Sequence, residues 1–250
     1  MSYSAMRPDG VAVYPASQAP TSERLTFIRK VYLMMFSGIL AYATISGALT
    51  FGALAQMAGT PIPGLSTLGM LSMNIPPLVA LLLIVGASIG AHAISMVKGL
   101  NLVGFYGFAA VFGILSVNLF AYAMVVAGPA VIFQALGLTV LVFGGLSAYV
   151  LITKKDFNFI GGFLMVGMFL LLGAVVVAIV MQMMGMQVRM LSIGLAIFST
   201  LLFAGYVLYD TSNMLHRYST DMVVPAALAL MIAFIMLFRN ILYLLMASRN

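Results

Sequence analysis

Seven long apolar stretches, parted by short polar or proline- and glycine-bearing breaks, set the rhythm of this chain. They run at about Val31–Leu54, Ile75–Val97, Leu102–Ala127, Ala130–Ile152, Phe157–Met184, Met190–Tyr209 and Pro225–Ala247. Each is at or above the roughly 18–20 apolar residues a helix needs to cross about 30 Å of hydrocarbon. The alternating ten-residue segments of a transmembrane barrel do not occur. The pattern predicts an all-α integral membrane protein of seven transmembrane helices.

The breaks have their own chemistry. Gly59-Thr-Pro61-Ile-Pro63-Gly64 forms the first long loop, Pro76-Pro77 opens the second span where proline is tolerated, and Gly128-Pro129 makes a tight hairpin. Asp156 is placed to cap the fifth helix by accepting its orphan N–H groups. Met1–Arg24 is polar, contains no apolar run and so is no cleavable signal. It is expected to be a flexible tail, residues 1–24, ahead of a membrane domain over 25–250.

Composition agrees with the pattern. The chain is 64% hydrophobic and 6% charged, against about 25% charged in a soluble domain. It has no Cys, which excludes disulfides and thiolate sites, and no Trp, which leaves Tyr and basic residues to mark the interfaces. The net charge of +6 follows membrane topology and does not point to nucleic acid. With the N-terminus inside, the inner segments hold Arg7, Arg24, Arg29, Lys30, Lys98, Lys154, Lys155 and Arg217. The outer segments hold only Arg189 and Arg249. That asymmetry predicts a cytoplasmic N-terminus, and seven complete crossings would put the C-terminus outside.

Few charges fall within the spans, so each is a candidate. Asp210, one of only five carboxylates, ends the sixth apolar run, and a charge at mid-membrane costs roughly 2.5–3.5 kcal/mol on insertion scales. If helix continues past it, Tyr206, Asn213 and Arg217 share its face and could hold a proton or a cation beside it. Otherwise it ends its helix in water. Arg239 lies about 21 Å into the last span. Snorkelling to the outer headgroups is its expected role, because no acidic residue lies at matching depth; pairing inside the bundle is the alternative. His92 is expected to be a neutral packing residue, with a proton relay as the alternative. Lys98 anchors the second span or reaches inward toward the sixth.

Gly86-Ala-Ser-Ile-Gly90 and Gly161-Gly162 permit close helix approach, and Asn118, Gln134 and Ser147 are candidates for interhelical hydrogen bonds. The 21 methionines are scattered without His or Cys and suit packing better than copper. Metalloprotease, hydrolase, phosphate-loop and dinucleotide signatures are all missing, and no organic cofactor is implied.

Gly205-Tyr-Val-Leu-Tyr-Asp210-Thr-Ser-Asn-Met-Leu-His-Arg217 resembles the signature of the Bax inhibitor-1, or transmembrane Bax inhibitor motif, family. Thr153–Phe163 and Ala227–Phe238 resemble two further family segments, and the resemblance as a whole covers about residues 25–247. The resemblance implies six helices around a central seventh, in a multi-pass protein of a bacterial inner membrane. The activity it implies is a pH-sensitive calcium (cation) leak linked to stress tolerance, with a non-conducting modulator of a membrane-bound protease or other membrane complex as the alternative. In the leak members an aspartate of helix six shares a proton with one of helix seven, and a basic residue at the end of helix two closes the pore. Here Asp210 matches the first aspartate and Lys98 the base.

The second aspartate is replaced by Ala233. A lone Asp210 facing Lys98 or Arg217 is therefore expected to stay ionised and salt-bridged, because a proton switch needs two close carboxylates. Asp221 is a weaker candidate for the missing partner. Calcium, the ion the resemblance names, normally takes six to eight oxygen ligands.

Overall fold

The computed structural model describes residues 5–6, 12–13, 15–97 and 99–249. Among them are nine α-helices: α1 Thr21–Met57, α2 Leu65–Met73, α3 Pro77–Ser95, α4 Asn101–Leu115, α5 Val117–Ala127, α6 Ala130–Thr153, α7 Gly161–Met183, α8 Arg189–His216 and α9 Val223–Ala247. Six are long and apolar enough to cross a membrane, and α4 with α5, bent by 42° at a single break, form a seventh span. A two-residue strand pair, Ala5–Met6 with Ala12–Val13, precedes them.

The last helix is the axis. In its most apolar stretch 56% of α9 is buried, against 11–39% for the other single-helix spans. Leu228, Leu230, Met231, Ile235, Leu237 and Leu242 of α9 are all fully buried. Five of the six surrounding spans pack directly on it; the sixth, α7, packs on α8 and stands off from α9. Phe105, Phe108 and Phe112 of α4 are fully buried, with Phe108 stacked on Phe112 at 4.2 Å. Phe143 of α6 meets Phe234 of α9 edge-on at 5.3 Å. Met35, Met214, Met231 and Met246 fill the same core, the packing role expected of methionine.

One end of the bundle gathers the start of α1, the α6–α7 loop and the α8–α9 turn. Ala16 N–H donates to the Tyr218 carbonyl at 2.9 Å, and the Thr220 hydroxyl donates to Glu23 at 2.6 Å. At the other end Arg249 donates to the Ala127 carbonyl and to Gln134, beside the Gly128 turn, whose φ of 77° suits only glycine well. The final helix therefore runs the full length of the bundle.

Several expectations change. Helix begins at Thr21, so the boundary drawn at residue 24 falls inside α1, and Ala16 is fully buried against the bundle. The first long loop contains α2, and the third span is broken at Ser116. The sixth helix continues to His216, so Asp210 lies within a helix and does not end one. Asp156 accepts from the Asn158 N–H at 2.9 Å, capping the single 3-10 turn Asn158–Ile160 that precedes α7 and not α7 itself. Of the predicted polar bridges, Ser147 meets Thr211 at 3.4 Å and Gln134 meets Arg249. Asn118 has no hydrogen bond among the described residues and lines a cavity.

The glycines divide sharply. Gly86, Gly90 and Gly162 face open space, so the first pair does not make the expected helix contact. Gly38, by contrast, lies where α1 crosses α9: a Cβ there would sit 2.3 Å from the Met231 sulfur and 2.7 Å from the Phe105 ring. Gly38→Val should cost about 1–3 kcal/mol through overpacking, whereas Gly90→Ala should leave stability unchanged. Thermal unfolding in detergent checks both.

Candidate functional site

The signature segment forms the last three turns of α8, and helical spacing divides its side chains between different faces. Phe203, Tyr206 and Asp210 recur at steps of three and four and line a cavity of about 160 Å³ with His92 of α3, Met168 of α7, and Ala229, Ile232 and Ala233 of α9. Thr211 and Ser212, on the other faces, are fully buried. Thr211 meets Ser147 of α6. The Ser212 hydroxyl accepts from the Phe157 N–H at 2.9 Å and donates to Asp156 at 3.3 Å. Ser212 thus fastens the α6–α7 loop to α8.

Among the described residues no hydrogen bond or ion pair reaches the Asp210 carboxylate. Tyr206 lines the cavity, but its hydroxyl donates to the Leu164 carbonyl at 3.2 Å. Asn213 is buried, and its side-chain oxygen has no partner among the described residues. Tyr218, in the turn beyond α8, is close enough to feel the Asp210 charge: burial first, and that charge second, push its phenol up to about 12.

The expected base does not pair as predicted. Arg217 is exposed beyond the end of α8, and its N–H donates to the Asn213 carbonyl; the Arg217–Asp210 salt bridge is absent. Lys98 lies outside the described residues. Asp221 is exposed in the α8–α9 turn, accepts from Ser219, and does not line the Asp210 cavity. Ala233 does line it, 1% exposed, so the α9 wall opposite Asp210 carries a methyl group. His92 shares the cavity, bringing the second span's one titratable imidazole to Asp210.

Arg239 overturns its snorkelling expectation. It turns into the bundle and donates from Nη1 to Ser116 Oγ at 2.7 Å. The Tyr42 hydroxyl donates to the same oxygen at 3.0 Å, and Ser116 donates to the Phe112 carbonyl at 2.7 Å. Asn240 donates to Ser199 Oγ at 2.6 Å. This polar layer sits at the α4–α5 break. Its one sequence signal was Ser116, a small polar residue in the middle of an apolar span, and it became legible only once the fold set Ser116 opposite Arg239. Among the described residues no group of three or more His, Cys, Asp or Glu could hold a metal ion.

The loop at the basic end has a titration of its own. The Asn158 N–H holds the Asp156 carboxyl below its usual value, with His216 and Ser212 adding to the effect. A group depressed on folding contributes stability above its ordinary value of 3.8, and that contribution is lost as pH falls through the lower folded value. Acidification through that lower folded value should therefore release the Phe157 and Asn158 amides, read as a loss of hydrogen-exchange protection relative to the intrinsic rate at the same pH. Asp156→Ala should release them at neutral pH, with no further acid effect.

Comparison with known proteins was informative. The family model described as "Inhibitor of apoptosis-promoting Bax1" matches residues 24–250. A membrane protein of Vibrio cholerae is 34% identical over 214 residues, covering 84% of this chain and 88% of that one. "Bax inhibitor 1" of Schizosaccharomyces pombe is 35% identical over 120 residues, 48% of this chain and 44% of that one. "Modulator of FtsH protease YccA" of Escherichia coli K12 is 36% identical over 121 residues, 48% of this chain and 52% of that one.

Proposed function

The chain belongs to the Bax inhibitor-1 family, and on that premise we propose a non-enzymatic, non-conducting modulator of a membrane-bound protease. It sits in a bacterial inner membrane with its N-terminus in the cytoplasm. The observation that carries this reading is Ala233: the Asp210 cavity holds one carboxylate, and the wall opposite offers only a methyl group. A shared-proton gate needs two close carboxylates. A calcium site normally takes six to eight oxygens, and Tyr206, the nearest hydroxyl on the same helix face, is already engaged with Leu164.

A second feature opposes cation passage. Toward the far end of the bundle two larger cavities meet at Arg239, so a cation on that route would face a fixed positive charge in a low dielectric. The E. coli relative's name says that it modulates a protease, which agrees with a closed, non-conducting bundle. The orientation rests on the basic residues: Arg24, Arg29, Lys30, Lys154, Lys155 and Arg217 cluster at the end where α1 starts.

A pH-sensitive cation leak gated by Asp210 is the second reading. What favours it is the adjacency of the cavities: those at Asp210 and Arg239 share Met168, Phe203 and Ile232. Purified protein in liposomes loaded with a calcium dye separates the two. The expected result is calcium release equal to that of protein-free liposomes at acid and alkaline pH. In parallel, adding the protein to a liposome-embedded ATP-dependent protease should slow degradation of a membrane substrate. Calcium release that depends on pH and is lost in Asp210→Asn would establish the leak in its place.

A further inference from the structure

Beyond the 42° bend at Ser116 the third span loses touch with the second. The helix α3 packs on α4, and among the described residues it has no contact with α5. The gap is a pocket of about 330 Å³ at the far end of the bundle, lined by the α2–α3 link, the first turn of α3, α5 and α9. Along α9 it runs from Met246 to Arg239, and along α5 and the end of α4 from Tyr122 to Leu115. Each is a stretch of roughly 10 Å at 1.5 Å per residue. Arg239 and Leu115 form the floor, and the exposed Pro77 and Tyr122 stand at the mouth.

Arg239 has no counter-ion at this end. Among the described residues the carboxylates are Glu23, Asp156, Asp210 and Asp221. Glu23, Asp156 and Asp221 belong to the opposite end, where α1 starts. Asp210 lies roughly 16 Å along α8 from Ser199, which marks the layer of Arg239 and Asn240 through its bond to Asn240. The far end carries the cations Arg189, Arg239 and Arg249, and Arg249 is answered by neutral groups, the Ala127 carbonyl and Gln134. A guanidinium has five N–H donors, and among the described residues one of them, on Nη1, is hydrogen-bonded, to Ser116. Arg239 is partly exposed and lines the pocket, so its remaining donors are within reach of a molecule there. Around it stand the Asn118 amide and the Tyr122 and Tyr243 hydroxyls, which have no hydrogen bond among the described residues.

We infer that this pocket binds a small organic monocarboxylate. The planar guanidinium fork matches a carboxylate, and one fixed cation matches one negative charge. The amide and the two phenols supply further donors, while Ala80, Leu119 and Met246 line room for a short aliphatic body. An atomic anion would leave that apolar wall unused. A diacyl lipid is too large for a volume near the lower bound of the roughly 300–1,000 Å³ of sites that enclose drug-sized molecules. The bound anion brings from outside the chain the counter-charge that this end lacks. The pocket shares no lining residue with the Asp210 cavity, and the site stands whether or not the protein modulates a protease.

The chain has no cysteine, so Asn118→Cys places a single thiol in the pocket and breaks no hydrogen bond among the described residues. The full chain carrying it is held in phosphatidylcholine nanodiscs, where both ends of the bundle meet solvent and orientation plays no part. Reaction with a sulfonate-bearing methanethiosulfonate should be about tenfold faster than with the trimethylammonium form, each relative to a free thiol, the scale of a hydrogen bond to a charged group. Butyrate should protect the thiol, whereas butyramide and chloride at the same concentration should not. Arg239→Gln should remove both the preference for the anionic reagent and the protection by butyrate, and leave reaction with a neutral methanethiosulfonate unchanged. Arg239→Lys should retain part of both. Equal relative rates for the two charged reagents with Arg239 in place would overturn the inference. So would protection by butyramide or chloride equal to that by butyrate, or a thiol that reacts with none of the reagents.

Discussion

Hydrocarbon offers no hydrogen bonds, so every polar group within the bundle must find its partner inside the protein. This condition governs the central helix most strictly, because α9 is wrapped by the other spans and still carries Arg239 and Asn240. Each is answered by a serine on a neighbouring helix, Ser116 and Ser199. Ser116 stands where the third span breaks, and the 42° bend lets one hydroxyl serve Tyr42 of α1, Phe112 of α4 and Arg239 of α9 together. The bend and the partly buried charge meet at one hydroxyl, and an apolar residue at 239 would leave Ser116 without its bond to α9.

The same condition orders the end of α8. Successive residues of the signature segment face different partners, so its run of polar residues is a division of labour. Asp210 faces the cavity, Thr211 faces α6, and Ser212 holds the α6–α7 loop. A change at any one disturbs a different contact. The loop attachment runs from the buried Ser212 hydroxyl to the Phe157 N–H and the Asp156 carboxylate, on a face of α8 separate from the Asp210 cavity.

The apolar spans were legible from the sequence because hydrophobic length is a strong signal when no water competes. The central place of α9 was legible through resemblance. Three things were hidden. The α4–α5 break carries neither Gly nor Pro at its centre, only Ser116, so no local breaker announces it. Arg239 read as a snorkelling residue because the search for a partner considered only carboxylates, whereas the partner is a neutral hydroxyl set by tertiary packing. The standing-off of α7 follows from which helices pack on which, and Gly86 and Gly90 looked like a contact face although nothing packs on them. The Asp210 site was half legible: its residue and the missing partner at Ala233 could be read, and the pairing with Arg217 could not, because it assumed that helical phase alone decides where a side chain ends.

Asp210 and Arg239 are the two charges deepest in the helices, opposite in sign and on adjoining cavities, and it is natural to ask whether they neutralise each other. The layers they occupy are roughly 16 Å apart along α8. At an effective dielectric constant of about 20, that separation gives an attraction of about 1 kcal/mol. Desolvating each ion costs several kcal/mol even after relaxation. The pair therefore cannot compensate its own burial, and each charge requires a local answer. For Arg239 that answer begins with Ser116 and leaves donors to spare; for Asp210 it is a proton, a cation or a base reaching the cavity.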